Sequence, residues 1–425
     1  ISSNDNTISV FSILIALSLQ MLRSVLRKPY YHRLNSRIET ICVHHRSSSP
    51  DSVTSCDSED HFSGRRLHYS VPVSANYKAM NLQEVTKRLH SLASPSLAEK
   101  WDNVGLLVEP TPPHLVSNIM LTNDLTPPVL DEALGKGANM IISYHPPIFT
   151  PLKRLRAKNW KESLIVKCIE NRVAVYSPHT SYDCVQDGIN DWLINCFDIQ
   201  EKKPIENHSE IVGPYTHQIC ALVSLEAISD IRANLAAFPD ISMSTSPLMN
   251  DTEAGTKINV RIYCNSGNMQ NIISVLYTYK ELVTHLTCLE LSKLPKPGYG
   301  MGRRATLTRP ITLEEAVKKV KCHLGLDKVR LAAAPGSPSV SSVAVCAGSG
   351  GSLLKDVSAS LFVTGEISHH EILHAMYSGT SVIVCDHSNT ERGYLLILKE
   401  KLQSLFDNNM KIIISTMDLE PLVIV

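Results

Sequence analysis

The chain has 425 residues, enough for two or three domains and a substantial core. Its 43% hydrophobic and 19% charged content is that of an ordinary globular protein. The 41 basic and 41 acidic residues cancel, so no global field favours nucleic acid or a membrane surface. The 11 cysteines show no CxxC pair or metal-finger spacing, which indicates buried thiols in a reducing compartment rather than a disulfide framework.

Residues 1–79 differ in composition from the rest of the chain. An apolar stretch at 8–19 is too short to span a bilayer comfortably and lacks a preceding basic region. The next segment, 21–50, is rich in arginine and serine, and Glu39 is the one acidic residue among its first 29 positions. This composition is typical of a mitochondrial transit peptide, and a disordered leader is the alternative. We therefore expect a transit-like or disordered leader, with mitochondrial import as one destination.

From Met80 onward, strand and helix patterns alternate. The apolar spacing predicts strands at 116–124, 139–145 and 173–177, and helices at 81–93, 127–138 and 160–172. Prolines open the second of these helices and glycines close it. Such alternation predicts βαβ units and a mostly parallel sheet, so we expect a first α/β lobe over 80–214.

The order of elements changes over 215–297. Strands are predicted at 217–224, 241–246, 257–264 and 283–291, with helices at 225–238 and 268–279. This β-α-β-β-α-β order predicts a ferredoxin-like insert. The proline- and glycine-rich segment 294–302 marks its exit.

The region 298–425 returns to the first pattern. Helices are predicted at 312–325, 352–357, 369–379 and 392–406, and strands at 340–350, 359–366, 381–387 and 411–417. We therefore expect an α/β protein in which two lobes with mostly parallel sheets surround a metal-binding cleft. A smaller ferredoxin-like α+β insert splits the two lobes.

Four polar clusters share one placement, because each follows an apolar strand. They are His145; His179 with Asp183; Glu366 with His369 and His370; and His387 with Glu391. In open parallel sheets, ligands bind in the crevice beyond the carboxyl ends of the strands. Imidazole and carboxylate ligands suit zinc, manganese or ferrous iron, and several of them can hold two ions that activate water.

Each residue also has a plainer interpretation. A lone His145 is more often a surface or packed histidine, and Asp183 could cap a helix. Glu391 could be a carboxylate in the first turn of a helix, where the helix dipole favours negative charge. As a set at strand ends, however, the residues predict a metal site that holds one or two divalent ions. One of His369 and His370 could face the cleft while the other packs.

Two further loops have open interpretations. The glycine-rich loop 346–355 could cradle an anion with backbone N–H groups, or it could be a tight turn between a strand and a helix. The basic loop 153–161 lies close to the strand that carries His145. It could guide a phosphorylated substrate, with a solvated loop as the alternative.

The ordered motifs over about 80–425 resemble the Nif-three-like family (DUF thirty-four), whose members are often labelled GTP cyclohydrolase I type 2 homologues. They are "AEKWDNVGLLVE" at 98–109, "IISYHPPIF" at 141–149, "VYSPHTSYD" at 175–183, "GYGMGRRATL" at 298–307, "CAGSGGSLL" at 346–354, "VTGEISHHEIL" at 363–373 and "CDHSNTERG" at 385–393. The "YHPPIF" and "HSNTERG" versions are most similar to animal members. The resemblance implies two α/β lobes around a dinuclear metal centre and a ring-shaped homohexamer.

Carried over by motif, the resemblance implies metal ligation by His145, Asp183, His387 and Glu391. The first motif of the family commonly has two adjacent histidines, whereas this chain has Tyr144 in place of the first. One ligand is therefore absent here or becomes a phenol oxygen.

The leading hypothesis is a metal-dependent hydrolase that acts on a nucleotide or heterocyclic substrate, with Glu366 or one of His369 and His370 moving protons. In the cyclohydrolase version that the family label implies, the attack opens a guanine imidazole ring. The alternative is a non-catalytic interaction protein, because the resemblance to animal members implies a partner role in transcriptional corepression with a structural metal. A metal-handling role is a third hypothesis. We expect a cytoplasmic location, with the nucleus and the mitochondrion as further destinations.

Overall fold

The computed structural model describes residues 77–247, 257–336 and 339–423. The chain divides into two units: a larger unit that runs to Glu206 and resumes at Gly300, and a smaller unit over Asn207–Tyr299. The predicted leader at 1–79 lies outside the described residues except for its last three positions. Within the described ranges, no helix has both the length and the apolar content needed to cross a bilayer.

The first part of the larger unit alternates strands and helices. In chain order, the elements are β1 (Met80–Asn81), α1 (Leu82–Leu92), β2 (Gly105–Val108), β3 (Leu115–Val116), β4 (Asn118–Thr122), α2 (Pro127–Gly135), β5 (Met140–Ser143), α3 (Trp160–Glu170), β6 (Ala174–Ser177), α4 (Thr180–Cys184), α5 (Ile189–Ile194) and β7 (Ile199–Lys203). Local sequence explains the starts of these helices. The Asn81 side chain caps α1 by accepting from the backbone N–H of Gln83, and prolines occupy the first turn of α2.

The smaller unit contains a four-stranded antiparallel sheet and two helices. Its elements are most of β8 (Glu206–Glu210), β9 (His217–Ser224), α6 (Ile228–Leu235), β10 (Ser242–Pro247), β11 (Lys257–Cys264), α7 (Ser266–Thr278), β12 (Val283–Glu290) and most of β13 (Leu294–Met301). The strand order is β10-β11-β9-β12, and buried residues of both helices pack with β9 and β11. This is the topology of a ferredoxin-like α+β domain, with the element order that the sequence predicts.

The chain then returns to the larger unit. The remaining elements are β14 (Arg303–Ile311), α8 (Leu313–Leu324), β15 (Arg330–Ala332), β16 (Val340–Ser349), α9 (Gly351–Leu354), β17 (Leu361–Glu366), α10 (His369–Tyr377), β18 (Ser381–Val384), α11 (Tyr394–Leu405) and β19 (Lys411–Ile414). Short 3₁₀ turns lie at Pro95–Leu97, Leu225–Ala227 and Ser388–Thr390.

A five-stranded sheet in the order β19-β4-β5-β6-β2 forms the first layer of the larger unit. Its pairs are parallel except for β2, which runs antiparallel to β6. Every residue of β4, β5 and β6 is buried, as expected for strands whose two faces are both covered. Because β4, β5 and β6 are parallel, the residues that follow them meet at one edge of the sheet.

A six-stranded sheet in the order β15-β18-β17-β16-β14-β7 forms the second layer. Its central pairs, β16-β17 and β17-β18, are parallel, whereas β15, β14 and β7 pair antiparallel. The sheet is therefore mixed, which differs from the mostly parallel sheet that we expected. Strands away from the βαβ core need no crossover helix on their outer side, so antiparallel pairing is open to them.

The two layers also exchange strands along the chain. The last strand, β19, falls in the predicted second lobe but pairs with β4 of the five-stranded sheet. Conversely, β7 falls in the predicted first lobe but pairs with β14 of the six-stranded sheet. Strand pairing depends on which backbone edges are open in three dimensions, and apolar periodicity carries no information about those edges.

Candidate metal centre

A cavity of about 420 Å³ lies in the larger unit, where the carboxyl ends of strands from both sheets meet. The five-stranded sheet contributes residues that follow β5 and β6, and the six-stranded sheet contributes residues that follow β16 and β18. Its polar lining includes Tyr144, His179, Asp183, Cys346, His387 and Glu391. Residues more than 200 positions apart along the chain are therefore brought to one site.

Three predicted ligands lie close enough to share an ion. His145, His387 and Glu391 each offer one ligand atom, and these atoms all lie within 4.8 Å of one another. One carboxylate oxygen of Glu391 is 3.4 Å from Nε2 of His145, and the other is 3.4 Å from Nε2 of His387. Glu391 is buried, and the side-chain amide of Asn123 donates to its Oε2 at 3.0 Å, which fixes the carboxylate between the two rings.

Carboxylates hold the opposite nitrogen of each histidine ring. Nδ1 of His145 is 3.0 Å from Asp124, Nδ1 of His387 is 3.1 Å from Glu366, and Nδ1 of His179 is 2.7 Å from Asp102. In each pair, the carboxylate fixes the ring orientation and leaves Nε2 as the nitrogen that could ligate a metal. Histidines that bind metals almost always have such a partner on the other nitrogen.

The Glu391 carboxylate and the neighbouring His145 ring shift each other's pKa. Burial alone would lower the pKa of His145, but Glu391 and Asp124 raise it to about 10. Burial would raise the pKa of Glu391, yet the two neighbouring histidines and the Asn123 hydrogen bond lower it below its usual value. The buried carboxylate therefore stays ionised and attracts positive charge, which suits a cation.

Tyr144 and Asp183 form a second contact in the cavity. The Tyr144 hydroxyl donates to Oδ1 of Asp183 at 2.8 Å. Burial raises the pKa of Tyr144 well above its ordinary value, and the negative charges of Asp183 and Glu391 add to that effect. Burial also raises the pKa of Asp183 to about 6, against the lowering effects of His179 and the Tyr144 hydrogen bond. The Tyr144 phenol thus serves here as a hydrogen-bond donor to a predicted ligand.

Gly348 leaves room for the cluster. Its φ of +64° lies in the left-handed region, and a Cβ atom there would lie 2.6 Å from Oε1 of Glu391 and 3.0 Å from Nε2 of His387. Its backbone N–H donates to the Thr390 hydroxyl at 2.8 Å, which joins the loop to the turn before Glu391. The glycine-rich loop thus brings its backbone close to the candidate ligands.

The predicted proton-transfer residues separate into two places. The Glu366 carboxylate pairs with Nδ1 of His387, as described above. His369 is exposed and does not line the cavity, and His370 lines a different cavity of about 200 Å³ on α10. Helix periodicity cannot decide which of two adjacent histidines faces a cleft. In this structure, neither His369 nor His370 lines the cavity of the candidate metal centre.

Sequence reasoning missed Asp102, Asp124 and Asn123 as site residues. Asn123 and Asp124 directly follow β4, so the rule that located the other clusters also applies to them. Asp102 lies in a loop before β2 and gives no such signal. It is bonded to His179, whose φ of +32° is unusual for a residue with a side chain. Asp102 also accepts hydrogen bonds from the backbone and hydroxyl of Thr180, which hold that turn in place.

Comparisons with known proteins agree with this architecture. A family model described as Duf34/NIF3 (NGG1p interacting factor 3) matches residues 80–421. The mouse protein NIF3-like protein 1 is 42% identical over 354 residues, covering 81% of this chain and 93% of the relative. The Saccharomyces cerevisiae protein NGG1-interacting factor 3 is 29% identical over 360 residues, covering 81% of this chain and 96% of the relative.

Solved structures show the same fold. The crystal structure of Staphylococcus aureus protein SA1388 superposes with a TM-score of 0.67 at 23% identity, covering 81% of this chain and 99% of that chain. At this identity the likeness shows the fold alone. The family match and the mouse relative confirm the resemblance that the sequence motifs indicate.

Proposed function

The chain belongs to the Duf34/NIF3 family, and we propose that it binds a divalent metal ion in the cavity of the larger unit and hydrolyses a nucleotide or heterocyclic substrate there. The proposed ligands are His145, His387 and Glu391, with Asp183 as the ligand for a second ion. Zinc, iron and manganese all accept this combination of imidazole and carboxylate donors.

The observation that carries the proposal is the orientation of the histidines. His145 and His387 each have Nδ1 bound to a carboxylate and Nε2 near the buried Glu391. A pair of surface histidines would lack both features. The space that Gly348 leaves beside these atoms also favours a functional site, because a Cβ at this position would fill it.

The residues of the chain have distinct tasks in this proposal. A bound divalent ion would supply Lewis acidity, which activates water for hydrolysis at neutral pH. Asn123 keeps Glu391 aimed between the histidines, and Asp124 keeps the His145 ring in place. Glu366 is the predicted proton-transfer residue bonded to a ligand, and its side chain is half exposed to solvent. We therefore propose that the Glu366 carboxylate, rather than His369 or His370, transfers protons.

Metal analysis combined with turnover assays tests this function. The purified full chain should carry metal and should hydrolyse at least one compound in a panel of purine nucleotides and related heterocycles. His387→Ala should lose metal and turnover together, whereas the control His374→Ala, on the exposed side of α10, should lose neither. If metal-loaded protein turns over nothing in the panel, the enzymatic proposal fails.

A second proposed function is favoured by the names of the relatives. The family description and the yeast relative both refer to interaction with NGG1, a protein partner. Under this proposal the chain binds a transcriptional regulator, and the metal stabilises the fold. The His387→Ala protein separates the two functions: if it stays folded and keeps partner binding after losing metal and turnover, the activities are independent.

Assembly and location complete the proposal. We propose a homohexamer, as the family resemblance implies, and sedimentation equilibrium of the full chain would test it. We also propose a cytoplasmic protein that reaches the nucleus, with mitochondrial import directed by residues 21–50. Microscopy of the tagged chain with and without that segment would test the location.

A further inference from the structure

An unusually long loop borders the cavity. The connection between β5 and α3 covers 144–159, whereas most strand-to-helix connections in α/β units have two to six residues. Both ends of the loop are held. The side chain of Asn103 donates to the Ile148 carbonyl at 2.5 Å, and Asn159 caps α3 by accepting from the backbone of Lys161 at 2.9 Å. Long loops with fixed ends are usually functional.

An exposed aromatic side chain of this loop pairs with a second one from the loop before β2. Phe149 is 47% exposed and forms an edge-to-face pair with Trp101, which is 60% exposed, at a centroid distance of 6.0 Å. Both line the cavity, and both rings lie within 6.5 Å of the His179 ring. Two large and partly exposed aromatic side chains therefore line the cavity of the candidate metal centre. Burying them against a flat ligand would remove a substantial apolar area from water.

Positive charge follows Phe149 along the loop. Five basic side chains, all exposed, occupy the loop and the start of α3, and none of them forms an ion pair with a carboxylate in the described ranges. They are Lys153, Arg154, Arg156, Lys158 and Lys161. The one acid in this stretch, Glu162, already accepts from the backbone of Arg156 at 2.9 Å. The chain as a whole is neutral, so this cluster is a local feature.

We propose that the rim formed by Trp101, Phe149 and the basic loop 153–161 is the recognition site for a nucleoside phosphate. The planar base packs on the aromatic pair beside His179, and the phosphates contact the basic side chains. Ring stacking and cation–phosphate contacts are the two interactions by which proteins hold nucleotides without reading a sequence. The rim would select the substrate of the proposed function. Binding at the rim does not depend on catalysis, and only the hydrolysis of the bound ligand rests on the proposed function.

The charge distinguishes this ligand from other occupants of an exposed aromatic rim. An apolar protein surface would leave five unpaired cations at or near the contact. Guanidinium and ammonium groups that are desolvated without a partner oppose binding. A phosphate-bearing ring satisfies both halves of the rim.

Calorimetric titration of the full chain, as purified, tests the proposal. The probes are GMP, guanosine, inorganic phosphate and a short single-stranded oligonucleotide. We expect GMP to bind at least tenfold more tightly than guanosine or phosphate alone, because each of those probes engages one half of the rim. Oligonucleotide binding without GMP binding would overturn the proposal in favour of a nucleic-acid surface.

Variants locate the binding. Trp101→Ala and Phe149→Ala should each weaken GMP binding by roughly five- to a hundredfold, the range for loss of one stacked base. The charge reversal K153E/R154E should weaken GMP binding and flatten its salt dependence while leaving guanosine binding unchanged. Tyr377→Ala, which removes an aromatic ring 78% exposed on α10, and Lys328→Glu, at an exposed lysine elsewhere, are the matched controls.

The outcomes separate this proposal from the proposed function. If the rim variants bind GMP as tightly as wild type while His387→Ala abolishes hydrolysis, the rim assignment is wrong and the enzyme remains. If the rim variants lose binding although wild type hydrolyses nothing, the rim assignment holds and the enzyme fails. A change of oligomeric state in the rim variants, with GMP binding intact, would show instead that this surface joins copies of the chain.

Discussion

Substituting Gly348 by alanine adds one methyl group at the candidate metal centre. Gly348 has a φ of +64°, and the new Cβ would lie 2.6 Å from Oε1 of Glu391 and 3.0 Å from Nε2 of His387. Real Cβ atoms essentially never come within 3.0 Å of another heavy atom, so Glu391 must move by several tenths of an ångström. Asn123 holds the other oxygen of this carboxylate at 3.0 Å, which restricts the movement.

Two costs follow, and they can be measured separately. A Cβ in the left-handed region costs about 1–2 kcal/mol of folding stability. Gly137 has a nearly identical φ of +68° with no atom within 4 Å of the added Cβ, so Gly137→Ala shows the backbone cost alone. Displacing Glu391 should in addition weaken metal binding by roughly 10–100-fold, the usual loss when the surroundings of metal ligands are disturbed.

Calorimetric titration with Zn²⁺ and Mn²⁺, together with thermal unfolding of both variants, measures these costs. Gly137→Ala should lose stability and keep wild-type metal affinity, whereas Gly348→Ala should lose both. Equal metal affinity in Gly348→Ala and wild type would refute the reasoning, because it would show that Glu391 and His387 are not ligands.

Three further outcomes are expected. Asp124→Asn should weaken metal binding by roughly 10–100-fold, because the His145 ring loses the carboxylate that orients it. Asp191→Ala should lower the free energy of unfolding in urea by about 3–5 kcal/mol, because it leaves the buried Arg303 guanidinium without its carboxylate partner at 2.8 Å. Glu132→Gln should cost about 1–2 kcal/mol at neutral pH, because Glu132 accepts hydrogen bonds from Lys136 and from the segment after β19.

The Glu132 effect depends on pH with a definite sign. Burial would raise the pKa of Glu132, but its hydrogen bonds lower it from 4.5 to about 2. The stabilisation is therefore complete above pH 4.5 and is lost as the pH falls toward 2. Unfolding of wild type and Glu132→Gln across this range should show the difference shrinking with acidity, and a constant difference would contradict it. Asp131→Ala, at an exposed carboxylate on the same helix, should stay close to wild type at every pH.

Much of the fold could be predicted from sequence because it is locally encoded. Apolar spacing located many of the helices and strands of both layers, as in β5 and α3, and it predicted the element order of the ferredoxin-like unit. It did not identify β2, β7, β14 and β15 as strands or α4 and α5 as helices. Strand pairing could not be predicted from the sequence. The last strand, β19, pairs in the five-stranded sheet, and the antiparallel strands β14, β7 and β15 make the second sheet mixed. These pairings depend on open edges in three dimensions.

The candidate site could be predicted to a similar depth. Polar residues after strands located His145, His387 and Glu391, because parallel strands deliver their carboxyl ends to one edge. Asp124, which orients His145, directly follows β4 and so falls under the same rule. Asp102, which orients His179, needed the structure, because a hydrogen bond between distant loops has no sequence period. The directions of the α10 side chains also could be determined only from the structure, which leaves His369 and His370 outside the cavity.

Anomalous diffraction from crystals of the full chain, collected at the absorption edge of the metal found in the purified protein, tests the metal centre most directly. An anomalous peak should lie about 2.0–2.2 Å from Nε2 of His145, from Nε2 of His387 and from a carboxylate oxygen of Glu391. A metal bound elsewhere, or these three side chains ordered without a metal peak in metal-soaked crystals, would contradict the assignment.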